Sequence, residues 1–443
     1  MTDIAHSRPR PGRLRSILPP PDPRRWPAEI EFLEEVPPEL AIALWRMLRR
    51  TRLWAAVPPS ARKDLALPDA SAAGERLAAA CAHAPRLLEA FGTFALLGRD
   101  PEAVTGAQLA QACHRVQAWA EERVSLDIAA LFAEAAATAD PDAPVRAFDA
   151  GRLCRSATHH GRAAAWYLRA FSLAVRQKSD QGVINALLGY GNLMKDLGRR
   201  DEARVYYERA ARRATGCGRR RQAAEAHHAL LTISAEAGMY PSACRHVRKA
   251  IENYPIRHPL VPYLIADFAY VLLQNRHFGF ALAPLVHLLS ILQKPAEQAM
   301  VFASVARAAG GLRNFQRYRE AEESALRLLE QHQYYAPSAY NSLAAGAWSL
   351  GDLTRAEIYS AVAMTTARLR RDGPAAQIAD ETLSSLAAGA APPTEVAPGD
   401  PSRLDALVQR LMARLRAWEV PGRQVQSVTS HAATGPVTSS EAA

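Results

Sequence analysis

Along most of the chain apolar residues recur every three or four positions, and stretches that strictly alternate apolar with polar are nearly absent. This pattern predicts α-helices and no sheet. Ala, Leu, Arg and Glu fill the helical stretches while β-branched runs are scarce, which reinforces an all-α reading. Between Ala28 and Arg99 four short amphipathic segments stand out: EIEFLEEV, PELAIALWRMLRR, AGERLAAACA and PRLLEAFGTFALLG, punctuated by Pro37, Pro58 and Pro85. From Gly106 onward the helical pattern becomes regular. After Leu386 it stops at AAGAAPPTEVAPGDP, which reads as a flexible linker by composition. It resumes in SRLDALVQRLMARLRAWEV, where Leu404, Leu407, Val408, Leu411, Leu415 and Trp418 share one face opposite Arg410, Arg414 and Arg416. A lone helix of this length is marginal in water and needs a surface. Capping the last repeat, dimerising, filling the protein's own groove and lying on an anionic membrane are all open to it.

Within the regular region the small residues keep time. The segment LGYGNLMKDLGRRDEARVYYERA (188–210) carries Gly191, Gly198, Ala203 and Ala210 inside an otherwise strong helix-forming stretch. Forty residues earlier GRAAAWYLRAF aligns with DEARVYYERAA, and forty later MYPSACRHVRKAI repeats the spacing. Seven alanines then mark the series: Ala129, Ala163, Ala203, Ala243, Ala281, Ala321 and Ala356, at intervals of 34, 40, 40, 38, 40 and 35. Small residues at such intervals are contact points of stacked helices, and a glycine such as Gly198 supplies a permissive turn between them.

The spacing and the residue types resemble the tetratricopeptide repeat (TPR), a helix–turn–helix unit of about 34 residues. Leu187, Tyr190, Gly191 and Met194 stand at its first-helix positions and Ala203, Tyr207 and Ala210 at its second. The longer intervals resemble bacterial regulatory TPR arrays. The resemblance implies a right-handed α-solenoid of about seven hairpins, with an N-terminal helical cap and the C-terminal amphipathic helix appended. The expected divisions are a basic Pro/Arg-rich arm (1–27), the cap region (28–105), the solenoid (106–386), the linker (387–401), the amphipathic helix (402–420) and a disordered tail (421–443).

Composition narrows the function classes. Five cysteines lie far apart with no CxxC, so neither a disulfide framework nor a zinc knuckle is signalled, and a reducing cytoplasmic setting is expected. The most apolar stretch, FALAPLVHLLSIL, is too short to span a bilayer. No phosphate-binding, nucleophile-elbow or zinc-protease motif occurs, and no enzyme, cofactor or metal is expected. The net charge of +10 is uneven: residues 199–222 hold nine Arg against three acids. In that run Arg212, Arg213, Arg219, Arg220 and Arg221 form a candidate anion patch. Interleaved aromatics for base stacking are missing around it, so nucleic acid is not the expected partner.

Binding is what remains. In TPR arrays the first helices of the units line a concave groove. Carried over by register, the groove-facing positions are Arg152, Arg155, Asn192, Lys195 and His228, then Tyr263, Tyr270, Asn341 and Trp348. The resemblance therefore implies an adaptor that holds a peptide or helix of another protein, its acidic end toward Arg152 and Lys195 and its apolar side chains on the later aromatics. The alternative is a sensory subunit of a transcriptional regulation system.

Overall fold

The computed structural model describes residues 36–418. The arm at 1–27 and the tail at 421–443 lie outside them, as does EIEFLEEV except for Val36. The chain is all-α and divides after Ile233 into two compact units.

Unit 1 begins with α1 (Pro38–Ala56), a 3-10 turn (Pro59–Leu65), α2 (Ala70–Cys81), a second 3-10 turn (Pro85–Leu87) and α3 (Leu88–Arg99). The prolines predicted as punctuation do that work: each opens a helix or turn, where its missing N–H costs nothing. Three hairpins follow. These are α4 (Gly106–Glu122) with α5 (Leu126–Ala139), α6 (Pro144–Ser156) with α7 (His160–Arg176), and α8 (Asp180–Asp196) with α9 (Arg200–Gly216). A capping box of Thr105 and Gln108 starts α4. Helix α1 packs on α5 and α3 on α4, so Leu40, Leu44, Met47 and Trp54 share one core with Leu109, Val116, Ile128 and Phe132.

In sequence the next pair is α10 (Arg220–Glu236) and α11 (Tyr240–Asn253). Unit 2 then continues with the hairpins α12 (Val261–Gln274) and α13 (Phe278–Ile291), α14 (Pro295–Gly311) and α15 (Phe315–Leu329), and α16 (Ala336–Leu350) and α17 (Leu353–Arg370). A single helix, α18 (Gly373–Ala387), closes the repeats.

Each first helix ends on a residue in the left-handed conformation: Val124, Thr158, Gly198, Gly238, Arg276, Arg313 and Gly351. In each case the amide of the next residue reaches back to a carbonyl one turn inside the helix, as Arg199 N–H does to Met194 at 2.9 Å, which stops the helix and reverses the chain. These turns fix the register of the second helices. Five residues beyond each turn stands a buried residue: Ala129, Ala163, Ala203, Ala243, Ala281 and Ala356, but Tyr318 in the sixth unit. The expected marker there, Ala321, is also buried but sits one turn further along α15. Tyr318 fits because the helix opposite has Gly346, where a Cβ would come within 2.8 Å of the Tyr318 ring. Close packing works the same way elsewhere: a Cβ at Gly191 would meet the Tyr207 ring at 2.6 Å, and one at Gly189 the Tyr167 ring at 2.3 Å.

Two polar clusters are built into the second helices. The carboxylate of Glu134, fully buried in α5, accepts hydrogen bonds from Arg162 and from Trp166 Nε1 (2.8 Å). Glu322 in α15 accepts from Tyr318 (3.0 Å), Tyr359 (2.8 Å) and Arg319 (3.1 Å).

The C-terminal region differs from expectation. The segment read as a flexible linker is an extended strap, held where Val396 N–H donates to the Arg276 carbonyl and His277 Nδ1 meets the Val396 carbonyl at 2.7 Å. Gly279 N–H also donates to Glu395. Backbone groups on the α12–α13 turn supply partners that composition could not reveal. The strap delivers α19 (Pro401–Arg416), which buries the predicted apolar face against α12 and α13. Arg414 donates to the carbonyls of Ile251 and Tyr254 at the end of α11, and Arg257 to that of Ala417. The amphipathic helix thus folds back on the middle of unit 2, a surface that was not among the alternatives.

Candidate functional site

In unit 1 three of the residues expected to face a ligand are engaged with neighbouring side chains of the fold. Arg152 on α6 makes a two-pronged pair with Glu121 on α4 (2.5 and 2.9 Å), which holds the Glu121 carboxyl below its usual range. Arg155 reaches Asp196 on α8 at 2.6 Å, and Asn192 accepts a hydrogen bond from Tyr207 at 2.7 Å. The two arginine pairs stitch successive first helices together, while the Tyr207–Asn192 bond joins the two helices of one hairpin. The acidic end of a peptide therefore does not find free cations at Arg152, whose charge is neutralised within the fold. Lys195 and His228 are half-buried.

The candidate anion patch is likewise largely paired. Arg213 bonds Asp180 on α8 at 2.8 Å, Arg212 lies 3.8 Å from Glu208, and Arg221 lies 3.6 Å from Glu225. Exposed pairs of this kind contribute little to stability, but they leave little uncompensated charge.

Unit 2 presents a different surface. Its first helices α12, α14 and α16, with the closing helix α18, line most of a cleft of about 660 Å³, bordered by Pro393 of the strap. Tyr270 and Trp348 give it aromatic walls; Asn341 lies in its floor. Tyr263 stands outside it, over a third exposed, and donates to Glu297 at 3.0 Å. Of the nine predicted groove residues the structure therefore brings Tyr270, Asn341 and Trp348 together in one cavity.

Three polar groups in this cleft are incompletely satisfied. Asn341 Nδ2 donates to the Ala375 carbonyl at 2.9 Å, yet its Oδ1 is buried without a hydrogen-bond partner, as is Trp348 Nε1. Arg307 on α14 is half-buried, and its one hydrogen bond in the described residues is a long one of 3.3 Å to the Leu273 carbonyl. No carboxylate lies within ion-pairing distance of it among the described residues. Burial pushes its guanidinium below the ordinary value, although arginine stays cationic. Glu236, Asp267 and Glu381 line the same cleft, giving it both signs of charge.

Arg307 was not among the sequence candidates, although a signal for it existed. Counted back from the left-handed turn residue, it stands six positions before Arg313, as Arg152 does before Thr158, Asn192 before Gly198 and Tyr270 before Arg276. The register of this unit was displaced in the sequence because its expected marker, Ala321, lies three residues beyond Tyr318, which holds the equivalent place five residues past the turn.

No family model matches the sequence, and neither does any curated protein. Solved structures of TPR proteins are similar in architecture. The Rap conjugation gene regulator of plasmid pLS20, solved in complex with the Phr* peptide, is 12% identical, with 84% of this chain and 96% of that chain covered at a TM-score of 0.44. YrrB, described as a TPR protein with an unusual peptide-binding site, is 18% identical over 45% of this chain and 92% of its own, at 0.32. The TPR2AB domain of yeast Sti1, in a complex with pHSP90, is 12% identical over 63% and 98%, at 0.24. With its paired helices, left-handed turns and small-residue seams, this chain is a TPR-like repeat protein.

Proposed function

We propose that the protein is a non-enzymatic docking scaffold whose unit 2 cleft receives a peptide or helical segment of a partner protein. The observation that carries this reading is the meeting, in one cleft, of Arg307 without a carboxylate and of Asn341 Oδ1 and Trp348 Nε1 without hydrogen-bond partners. Buried polar groups in native proteins are nearly always satisfied, so an acceptor and a donor left open beside a cation call for a ligand that supplies both and an anion. An extended peptide has a backbone N–H for Asn341, a carbonyl for Trp348 and, from an Asp, a Glu or its terminus, a carboxylate for Arg307. Tyr270 and the Trp348 ring accommodate apolar side chains, while Glu236, Asp267 and Glu381 favour a basic residue alongside the acidic one.

The chemistry this cleft offers is hydrogen bonding and charge pairing, which suits recognition. A cytoplasmic setting belongs to the proposal: all five thiols are free, and no helix among the described residues is long and apolar enough to cross a membrane.

Selection from a pool of random short peptides tests the reading. The full chain is expected to enrich peptides with an acidic residue, and Arg307→Gln to lose that enrichment. A pool that emerges unenriched, or enriched identically by both proteins, would overturn it.

A further inference from the structure

Arginines gather without acids at a second place in unit 2. Along the seam where α19 lies beside α11 there is a cleft of about 600 Å³ with a largely apolar floor of Tyr240, Cys244, Leu404 and Leu407. Arg245, Arg248, Arg403 and Arg410 surround it, and Pro398 and Gly399 of the strap border it. One acid is present, Asp400, and its carboxylate is turned to local work, capping α19 through Arg403 N–H at 3.0 Å and accepting from Ser402 at 2.9 Å. Arg410 lies 3.5 Å from Glu252. The side chains of Arg245, Arg248 and Arg403 have no carboxylate within ion-pairing distance among the described residues, in contrast to most of the arginines at 212–221.

Arg245, Arg403 and Arg410 are exposed and Arg248 half-buried, so an anion entering the seam meets several guanidinium groups at once above an apolar floor. The volume falls in the range of small-molecule sites, and the seam is walled by helices on two sides. We propose that this cleft binds a small amphiphilic anion, with an apolar body on Tyr240, Leu404 and Leu407 and a carboxylate, sulfonate or phosphate among Arg245, Arg248 and Arg403. Such a ligand bridges α11 and α19, which are separated by well over a hundred residues of sequence, and so holds α19 and its strap in place. The inference is independent of the peptide reading, because none of these residues lines the peptide cleft.

Cys244 in the floor provides a local reporter. Alkylation of the full chain is followed by mass spectrometry with and without anilinonaphthalene sulfonate as the probe; half-buried Cys81 and Cys217 serve as internal references. Burial pushes the Cys244 thiol up, so labelling is run at mildly alkaline pH. Saturating probe is expected to slow labelling of Cys244 by about tenfold relative to the references. Arg248→Ala with Arg403→Ala is expected to weaken the protecting affinity at least about tenfold, since two charge-assisted contacts to the anion are lost. Arg248→Lys with Arg403→Lys, which keeps the charge and disturbs packing least, is expected to retain most of the protection. Labelling of Cys244 indifferent to the probe overturns the proposal, as does protection that survives the double alanine change or an equal slowing of all three thiols.

Discussion

Gly310 offers a sharp test of the stacked-hairpin packing. It lies in α14 where that helix crosses α16, and a Cβ built on it would stand 2.3 Å from the Gly346 carbonyl oxygen and 2.7 Å from Gly346 Cα. Both obstacles are backbone, so no side chain can swing aside, and the helices must part by about 1 Å to restore ordinary contact. Gly310→Ala gains about 1 kcal/mol of helix propensity and loses about 1–3 kcal/mol to overpacking, with further loss as the contacts of the seam loosen. A net destabilisation of about 1–2 kcal/mol is expected, or a fall of about 3–6 °C in Tm for a unit of this size. Gly92 in α3 is the control: nothing lies within 4 Å of its Cβ position, so Gly92→Ala is expected to stabilise by about 0.5–1 kcal/mol. Thermal and urea unfolding followed by circular dichroism read both. If Gly310→Ala were as stabilising as Gly92→Ala, the close seam between α14 and α16 would be refuted.

Three further outcomes follow from the same structure. Glu134→Ala leaves the Arg162 guanidinium and Trp166 Nε1 without their buried acceptor and should destabilise unit 1 by about 3–5 kcal/mol in urea unfolding; a loss under about 1 kcal/mol would mean that the cluster is not formed. Val124 holds φ at 64°, a left-handed conformation poorly suited to a β-branched residue, so Val124→Gly should raise stability by about 1 kcal/mol despite removing a side chain; a decrease would argue against that turn. Burial, then Arg245 and Lys249, lowers the His246 pKa to about 4. Because the unfolded chain then takes up the proton first, stability should decline as pH falls from about 6.5 toward about 4, and His246→Gln should flatten that decline in melts across the window.

What the sequence disclosed and what it hid divide along physical lines. The alanine series was legible because helix contacts demand small residues at fixed intervals, and Ala163, Ala203 and Ala243 are fully buried where expected. Ala321 misled by one turn because a tyrosine replaced the small residue and a glycine on the facing helix made room, an exchange visible only across the seam. The roles of Arg152 and Arg155 were hidden for a related reason. Their acidic partners Glu121 and Asp196 lie on neighbouring first helices and come within reach only when the units stack. Tyr270, Asn341 and Trp348 were reached by register, whereas Arg307 was missed because Ala321, taken as the marker of its unit, stands three residues beyond the Tyr318 that holds the equivalent place. The strap looked flexible because its composition is that of a linker; what orders it is the α12–α13 turn at residues 276–279, whose backbone and His277 ring offer it partners. The apolar face of α19 was evident, but its destination on α12 and α13 depends on tertiary geometry alone.

A double-mutant cycle between the cleft and a selected peptide tests the docking account most directly. Affinities are measured for the four combinations of wild-type or Arg307→Gln protein with the acidic peptide or its amide counterpart. A direct carboxylate–guanidinium contact predicts a coupling energy of about 1.5–3 kcal/mol. Effects that add to within about 0.3–0.5 kcal/mol would show that the acidic group binds elsewhere, contradicting the placement of the partner over Arg307.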